Sequence, residues 1–508
     1  MNPPLTATTA GVAPSTTHDR SFFGHPRGLS TLFFTEMWER FSYYGMRALL
    51  ILFMTAAPAA GGLGFDAATA GAVYGLYTSM VYMTGLPGGW LADRLLGPQR
   101  AVLYGGILIA CGHFSMAVPS ITTFYLGLLL IVIGTGLLKG NVAVIVGRLY
   151  TAADTRRDAG YSIYYMGINL GAFIAPLIVG YLGQRVSWHV GFGAAGLGMV
   201  LGLIQYVLGT RHLGAAGREP ADAGSAEANA RQKRQAVQWT TLAAGILVVV
   251  VIAAVTGLLP LSPTAVADAA GYLLLGLTGA FFAWIFFSSG WTIFERRRLY
   301  VIAVLFVAAA LFWSAFEQAG STLNLFADRN TSNIALGWEF PSSFYQSLNS
   351  LFLIALAPVY AWAWIALSKR GAEPTSPAKF GLGLALVGAG FAVLAVGAIL
   401  AEQGVKVSPW WLTITYLLHT CGELALSPVG LSAMSKLAPI RIGGLVMGVW
   451  YLGSSVGNYI GGRLAAFYET WTLPQLFGGV AAFSIGAGLI LLLLARPLAR
   501  LTAEDGSA

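Results

Sequence analysis

Apolar stretches long enough to cross a lipid bilayer recur along the whole chain, separated by short charged or Gly/Pro-rich breaks. A helix needs about 20 apolar residues to span the hydrocarbon core of a membrane. Fourteen windows of this kind cover residues 30–56, 68–91, 101–118, 122–146, 159–182, 190–208, 239–259, 269–287, 300–325, 344–367, 380–400, 411–437, 444–467 and 477–494. The pattern therefore predicts an all-α membrane protein with fourteen transmembrane helices.

The arginine and lysine residues support this number of crossings. Basic residues collect at the two ends of the chain and in every second loop, whereas the other loops hold only Arg185, Arg329 and Lys406. Because loops rich in Lys and Arg stay on the cytoplasmic side, both termini are expected to be cytoplasmic in a multi-pass protein of the cell inner membrane, the plasma membrane. The net charge of +8 follows from this topology, so no nucleic-acid partner is expected.

One long polar linker divides the windows into six helices, an inserted pair and six more helices. The predicted organisation is an N-terminal cytoplasmic segment 1–29, a first bundle 30–210, a cytoplasmic linker 211–238, two inserted helices 239–298, a second bundle 299–497 and a cytoplasmic tail 498–508. The apolar windows of the inserted pair contain no ionisable side chain, so this pair is expected to face lipid beside the bundles.

Composition and motifs favour a transport protein over an enzyme. Of 508 residues, 56% are hydrophobic and only 10% are charged, which leaves no soluble domain for an active site. A polytopic membrane enzyme is disfavoured because the chain has no HExxH motif and no paired aspartates at membrane depth. The six histidines are scattered, so no metal site is expected.

Ionisable side chains inside the predicted spans are candidates for function, because charge is costly at membrane depth. They are Glu36, Glu39, Arg40, Arg47, Lys139, Glu317, Glu423 and Arg463. Arg463 lies near the outer end of its helix, where it can reach the lipid headgroups. The four residues of the first helix share one stripe of its surface. A ladder that served only stability would be replaced at less cost by apolar residues, so we favour a functional role.

The depths of these residues suggest two ion pairs that join the halves of the chain. Arg47 and Glu317 each lie about 25 Å from the cytoplasmic end of their helices and are predicted to meet near the outer surface. Lys139 and Glu423 both lie on the inner side of the midplane and are predicted to approach each other below a central cavity. Two such pairs would suit the two alternating gates of a transporter.

Without Arg463, the buried set contains four carboxylates and three cations, so one acid has no partner. That acid is expected to bind a proton in at least one conformation, which would couple proton movement to gate exchange. The sequence does not decide which of the carboxylates holds the proton.

Several strings resemble the proton-dependent oligopeptide transporters, a branch of the major facilitator superfamily. Glu36-Met-Trp-Glu39-Arg40 resembles the ExxER signature of that family, and residues 161–173, 312–324, 346–349 and 422–432 resemble its later motifs. Gly140 stands where the family usually has Pro, and Tyr164 where Phe is commoner. The resemblance implies the major facilitator fold, with two six-helix bundles and two inserted helices. It also implies proton-coupled symport of di- and tripeptides by alternating access.

The resemblance also implies roles for individual residues. Arg40 and Lys139, with Tyr44, would hold the peptide carboxylate, and Glu423 with Asn169 and Asn349 would hold the amino terminus; opposed charges suit a zwitterion. Proton coupling would involve Glu36, Glu39, Arg40 and Glu317. The remaining residues of the implied peptide site are Tyr43, Arg47, Tyr82, Trp313, Ser427 and Trp450.

One alternative within the same superfamily is a proton-driven drug or metabolite exporter. The loop around Asp93 and Arg94 fits both, whereas the charged stripe of the first helix argues against an exporter. The expected partners are therefore di- and tripeptides, protons and membrane lipids, with a monomeric chain and no cofactor beyond the proton as coupling ion.

Overall fold

The computed structural model describes residues 19–151, 153–260, 262–335 and 337–502. Residues 1–18 and 503–508 of the predicted terminal segments lie outside the described residues. The α-helices are α1 Arg27–Thr55, α2 Ala67–Met83, α3 Gly85–Leu91, α4 Pro98–Met116, α5 Ile121–Arg148, α6 Arg157–Arg185, α7 Trp188–Gly209, α8 Ala226–Val255, α9 Pro263–Phe287, α10 Ile293–Phe316, α11 Thr322–Arg329, α12 Gln346–Lys369, α13 Ser376–Ala401, α14 Trp410–Leu437, α15 Gly443–Leu464 and α16 Leu473–Thr502. A short antiparallel hairpin, β1 Ile334–Ala335 and β2 Trp338–Glu339, lies between α11 and α12.

Each of the fourteen predicted windows lies on helical structure, which confirms the all-α membrane class. Within the described ranges, nine helical stretches are long and apolar enough to cross a membrane by length and composition alone. Helix α1 is not among them, because it carries two acids and two arginines within three turns of Glu36. A count based on apolar composition therefore leaves out a helix that carries several buried charges.

Two predicted windows are interrupted in the structure. The window 68–91 was expected to be continuous, but α2 ends at Met83 and α3 begins at Gly85. Between them, the Thr84 hydroxyl donates to the Val132 carbonyl at 3.0 Å, a contact with α5 that no local pattern reveals. The window 300–325 breaks into α10, the 3₁₀ turn Glu317–Gly320 and α11.

The break after α10 leaves backbone groups at membrane depth that must find partners. The Ala319 carbonyl accepts hydrogen bonds from the Gln346 amide at 2.8 Å and from the Tyr416 hydroxyl at 3.3 Å. Side chains of α12 and α14 therefore satisfy the interrupted ladder.

The first part of the predicted linker packs against the start of α4. The side chain of Gln99 donates to the carbonyls of Ala216 at 2.9 Å and Gly214 at 3.2 Å, and its backbone N–H donates to Gly217 at 2.8 Å. Helix α8 then begins at Ala226, inside the predicted linker, because Ser225 caps its first turn. The linker is thus partly helical.

Close contacts divide the chain into two compact units. Unit 1 comprises the described residues of 19–43, 84–172 and 193–260, and unit 2 those of 44–83, 173–192 and 262–502. This division cuts α1 between Tyr43 and Tyr44 and assigns α8 to unit 1 and α9 to unit 2. It differs from the six-plus-six organisation, which stays a prediction.

Glycine contacts hold the helices of unit 1 close together. A Cβ atom at Gly105 of α4 would lie 2.6 Å from the Gly134 carbonyl oxygen of α5. A Cβ atom at Gly88 of α3 would lie 2.0 Å from the Gly136 carbonyl oxygen of α5. Small residues allow such backbone approach in membrane helices, where there is little hydrophobic force between them. A buried apolar core that includes Leu138, Val142 and Tyr206 fills the space beside these contacts.

In unit 2, α2 packs against α15, and α9 packs beside both. A Cβ atom at Gly75 of α2 would lie 2.9 Å from the Gly462 Cα atom of α15. Arg463 pairs with Asp268 of α9 at 2.8 Å, so it is held by an inserted helix rather than by headgroups alone. Asp268 lies one residue before the predicted window 269–287, so it is not among the ionisable residues within the predicted spans.

Candidate functional site

Three charged side chains of α1 form a compact buried cluster in unit 1. Glu36, Glu39 and Arg40 are each at most 4% exposed. The Arg40 Nε atom lies 3.1 Å from Glu36 Oε1 and also contacts Glu39 Oε2. The guanidinium carbon lies 5.2 Å from the centre of the Tyr43 ring. Two carboxylates thus share one guanidinium.

Helix α6 approaches this cluster through a glycine. A Cβ atom at Gly171 would lie 2.2 Å from the Met37 carbonyl oxygen and 3.1 Å from the Arg40 Cβ atom. The same helix brings the buried Tyr164 hydroxyl within hydrogen-bonding range of the Glu36 carboxyl group. Tyr164 was not predicted as a site residue; its place within residues 161–173, which resemble a later motif of the family, is the signal that could have indicated it.

Lys139 and Asn169 are the other predicted site residues of unit 1. Lys139 is half-buried on α5 and acts electrostatically on Glu36. The Asn169 amide donates to the Tyr165 carbonyl of its own helix at 3.0 Å. The structure therefore collects two acids, two cations and an amide in the same unit.

A second charged pair lies in unit 2. The Arg47 Nη2 atom lies 2.5 Å from Glu317 Oε2, and both side chains are at most 6% exposed. The Arg47 Nε–H donates to the Tyr74 hydroxyl at 2.6 Å. The structure thus brings together the two residues whose depths in the sequence suggested a pair, while their role as a gate stays a prediction. Tyr74 was missed, because its spacing on α2 is that of any buried apolar residue.

Glu423 has a polar setting formed by α12 and α14. The Asn349 amide donates to Glu423 Oε2 at 2.9 Å and to the Thr420 hydroxyl at 3.1 Å. Both Asn349 and Glu423 are half-buried. Lys139 belongs to unit 1 and Glu423 to unit 2, so their pairing as a second gate stays a prediction.

The remaining predicted residues are aromatic or small and lie in unit 2. Tyr44, Tyr82, Trp313 and Ser427 are half-buried. Trp450 is 6% exposed and packs against Gly430, where a Cβ atom would lie 2.2 Å from its ring. A core role for Trp450 is therefore as compatible with its surroundings as a binding role.

The arrangement is suited to holding charge and moving protons. Across the described part of the chain, no three His, Cys, Asp or Glu side chains are grouped so that they could hold a metal ion. Cations and carboxylates instead form close pairs whose partners lie on different helices or successive turns. A proton that neutralises one acid would free its cationic partner, and this links protonation to helix contacts.

Comparison with known proteins gives a consistent result. A sequence model described as the POT family matches residues 99–477. The peptide transporter YePEPT of Yersinia enterocolitica is 44% identical over 95% of this chain and 96% of its own length. A di-/tripeptide transporter of Lactococcus lactis is 37% identical over 96% of this chain and 98% of its own length.

Solved structures agree with these relatives. A crystal structure of a peptide transporter POT in complex with sulfate superposes with a TM-score of 0.89 at 42% identity, covering 96% of this chain and 98% of that chain. Likeness at this level extends to nearly all the helices described above.

Proposed function

This chain belongs to the POT family, and we propose that it carries di- and tripeptides into the cell together with protons by alternating access. The family membership confirms the predicted resemblance, the major facilitator fold and the interpretation as a transporter rather than an enzyme. The exporter alternative is not favoured, because the similar proteins reported above are described as peptide transporters. The observation that carries the proposal is the buried charge on α1, paired both within the helix and with the turn that follows α10.

The proposed peptide site uses opposite charges for the two ends of the substrate. Arg40 and Lys139, with Tyr44, would hold the carboxylate, because a guanidinium and an ammonium supply several donors to its oxygens. Glu423 would hold the amino terminus, and Asn349 already orients its carboxylate by a 2.9 Å hydrogen bond. Asn169 would supply a donor and an acceptor to the peptide amide.

Side-chain pockets complete the proposed site. Tyr43, Tyr82, Trp313 and Trp450 would offer aromatic faces, which accept many side chains because contact with a ring is not sequence-specific. Ser427 would contribute a hydroxyl. We propose substrates of two or three residues rather than free amino acids, because a short peptide presents an amide as well as a carboxylate and an amino terminus to these groups.

Proton coupling is proposed for the acids that share a cation. Glu36 and Glu39 both contact Arg40, so binding of a peptide carboxylate by Arg40 would weaken its hold on these acids. At least one acid would then take up a proton, since an uncompensated buried carboxylate is costly. Glu317 would likewise take up a proton, and this would weaken its pairing with Arg47 and release the proposed outer gate.

Uptake of labelled di-alanine into proteoliposomes tests the proposal. With acid outside, we expect accumulation above equilibrium that collapses when a protonophore removes the gradient. Unlabelled di- and tri-alanine should compete, whereas free alanine should not. Uptake that does not depend on the proton gradient, or that is abolished by free alanine, would contradict proton-coupled peptide transport.

The proposed location is the inner membrane, with both termini on the cytoplasmic side. The alternation of basic loops supports this orientation. Lipids would surround α8, most of whose apolar surface is exposed.

A further inference from the structure

Tyr74 lies at the centre of the charged pair of unit 2, although it carries no charge. Its side chain is 1% exposed, and its hydroxyl oxygen accepts the Arg47 Nε–H at 2.6 Å. The guanidinium carbon also lies 5.9 Å from the centre of the Tyr74 ring. Arg47 therefore divides its donors between the Glu317 carboxylate and the Tyr74 hydroxyl.

Gly320 leaves room for this arrangement. A Cβ atom at Gly320 would lie 1.9 Å from the Tyr74 hydroxyl oxygen and 2.9 Å from Arg47 Nε. Gly320 belongs to the 3₁₀ turn that begins at Glu317, so the turn that carries the acid also accommodates the tyrosine. Three chain segments, from α1, α2 and the break after α10, thus meet around one guanidinium.

The two bonds of Arg47 have different consequences. The bond to Glu317 depends on the charge of that acid and weakens when the acid takes up a proton. The bond to Tyr74 does not depend on the charge of Glu317, and the phenol itself stays neutral over the physiological range because it is buried. The tyrosine can therefore hold the guanidinium in position while the acid changes its charge.

We infer that Tyr74 is a positioning residue of the Arg47–Glu317 pair, which aims the guanidinium at the acid and thereby sets the pH at which that pair opens. The inference rests on the proposed function, since it assigns the pair to proton-coupled transport. Other titratable groups that face the pair are Tyr44 of α1 together with Tyr416 and Glu423 of α14. All are present in both the native protein and the variants below, so their influence cancels in the comparison.

Replacement of Tyr74 by Phe tests the inference. Without the hydroxyl, Arg47 loses one of its two partners and is aimed less well at Glu317, so the pair should open under less acidic conditions. We expect the pH of half-maximal uptake of di-alanine to rise by about 0.5 to 1 unit. Counterflow at equal pH on both sides, which needs no net proton movement, should stay within about twofold of the native rate.

Tyr345→Phe is the matched control. Tyr345 is also a buried tyrosine of unit 2, 4% exposed, but its hydroxyl makes no hydrogen bond to any described residue. Its replacement should leave the pH profile unchanged. A general effect of removing a buried hydroxyl would shift both variants equally and overturn the inference.

A second variant keeps the test decisive if Tyr74→Phe does not fold. Gly320→Ala retains the phenol, but the added methyl group crowds both the hydroxyl and Arg47 Nε and should separate them, so it should shift the profile in the same direction. A profile that superposes on the native one in a folded variant overturns the positioning role. Absence of gradient-driven uptake by the native protein would instead overturn the proposed function, so the two failures are distinguishable.

Discussion

Arg47 shows how a buried charge depends on partners that lie far away in the chain. Glu317 is 270 residues distant, yet its carboxylate lies 2.5 Å from the guanidinium. Removing one member of a buried pair leaves the other uncompensated, at a cost of about 3–5 kcal/mol. Such a pair has large effects when it titrates, whereas a surface pair contributes about 0–1 kcal/mol.

The first prediction concerns the charge of Glu317. Glu317→Gln keeps the size of the side chain but cannot change charge, so proton-driven accumulation of di-alanine should fall by at least about tenfold. Counterflow at equal pH should persist, because the peptide still binds. Gradient-driven uptake and counterflow, measured in the same proteoliposomes, test these two expectations.

The control is Glu469→Gln, which alters a half-exposed ion pair with Arg329 in the same unit. It should accumulate the peptide normally. Full accumulation by Glu317→Gln would remove this acid from the coupling mechanism.

The second prediction concerns Lys139. If its ammonium holds the peptide carboxylate, Lys139→Ala should weaken competition by an intact dipeptide about tenfold more than competition by its methyl ester. The ester lacks the charge that the lysine would recognise. Lys406→Ala, a change at an exposed loop position, is the control and should affect neither ligand. Equal losses for the peptide and the ester would count against the assigned role.

Among the helices, close glycine contacts decide which elements lie side by side. On α5, a Cβ atom at Gly136 would lie 2.6 Å from the Thr84 carbonyl oxygen, whereas one at Gly140 would meet no atom within 4 Å. The two glycines are one turn apart, so they differ in surroundings and hardly in local helix propensity. This makes them a matched pair.

The third prediction follows from that difference. Gly136→Ala should destabilise the protein by about 1–3 kcal/mol, because the added methyl group pushes α5 away from Thr84. Gly140→Ala should be neutral or stabilise by up to about 1 kcal/mol through its better helix propensity. Melting temperatures in detergent would compare the two. A lower melting temperature for Gly140→Ala than for Gly136→Ala would contradict the close approach of α5 to Thr84.

The inserted pair also behaves as two separate elements. Helix α8 follows an ordered linker held by Gln99, and α9 is held by the Asp268–Arg463 ion pair. Only Ala236 is buried on α8, whereas Ala267, Gly271, Leu274 and Ile285 are buried on α9. The expectation that the pair faces lipid therefore describes α8 better than α9.

For the whole molecule, orientation is the property that charge distribution predicts most directly. The fourth prediction is that a fluorescent protein fused to the C-terminus is bright and that alkaline phosphatase at the same position is inactive, because that end is cytoplasmic. Phosphatase fused after the hairpin that ends at Glu339 should be active, since this loop is predicted to be external. The opposite result at either position would reverse the topology.

Hydropathy and charge along the chain were sufficient to predict the membrane class, the number of helical windows and the charged residues at membrane depth. These properties depend on hydropathy, charge and helical spacing, which can be read from neighbouring residues. The sequence also indicated that Arg47 and Glu317 could meet, since both lie at similar distances from the cytoplasmic ends of their helices.

Which side chains contact each other is visible only in the folded chain. Tyr74 beside Arg47, Gln99 against the linker and Asp268 beside Arg463 join segments that are distant in the chain. Nothing in the local sequence marks these partners, because a buried tyrosine on α2 has the same spacing as a residue that only packs. The breaks at Thr84 and Glu317 likewise involve hydrogen bonds with other helices, which local helix propensity does not encode.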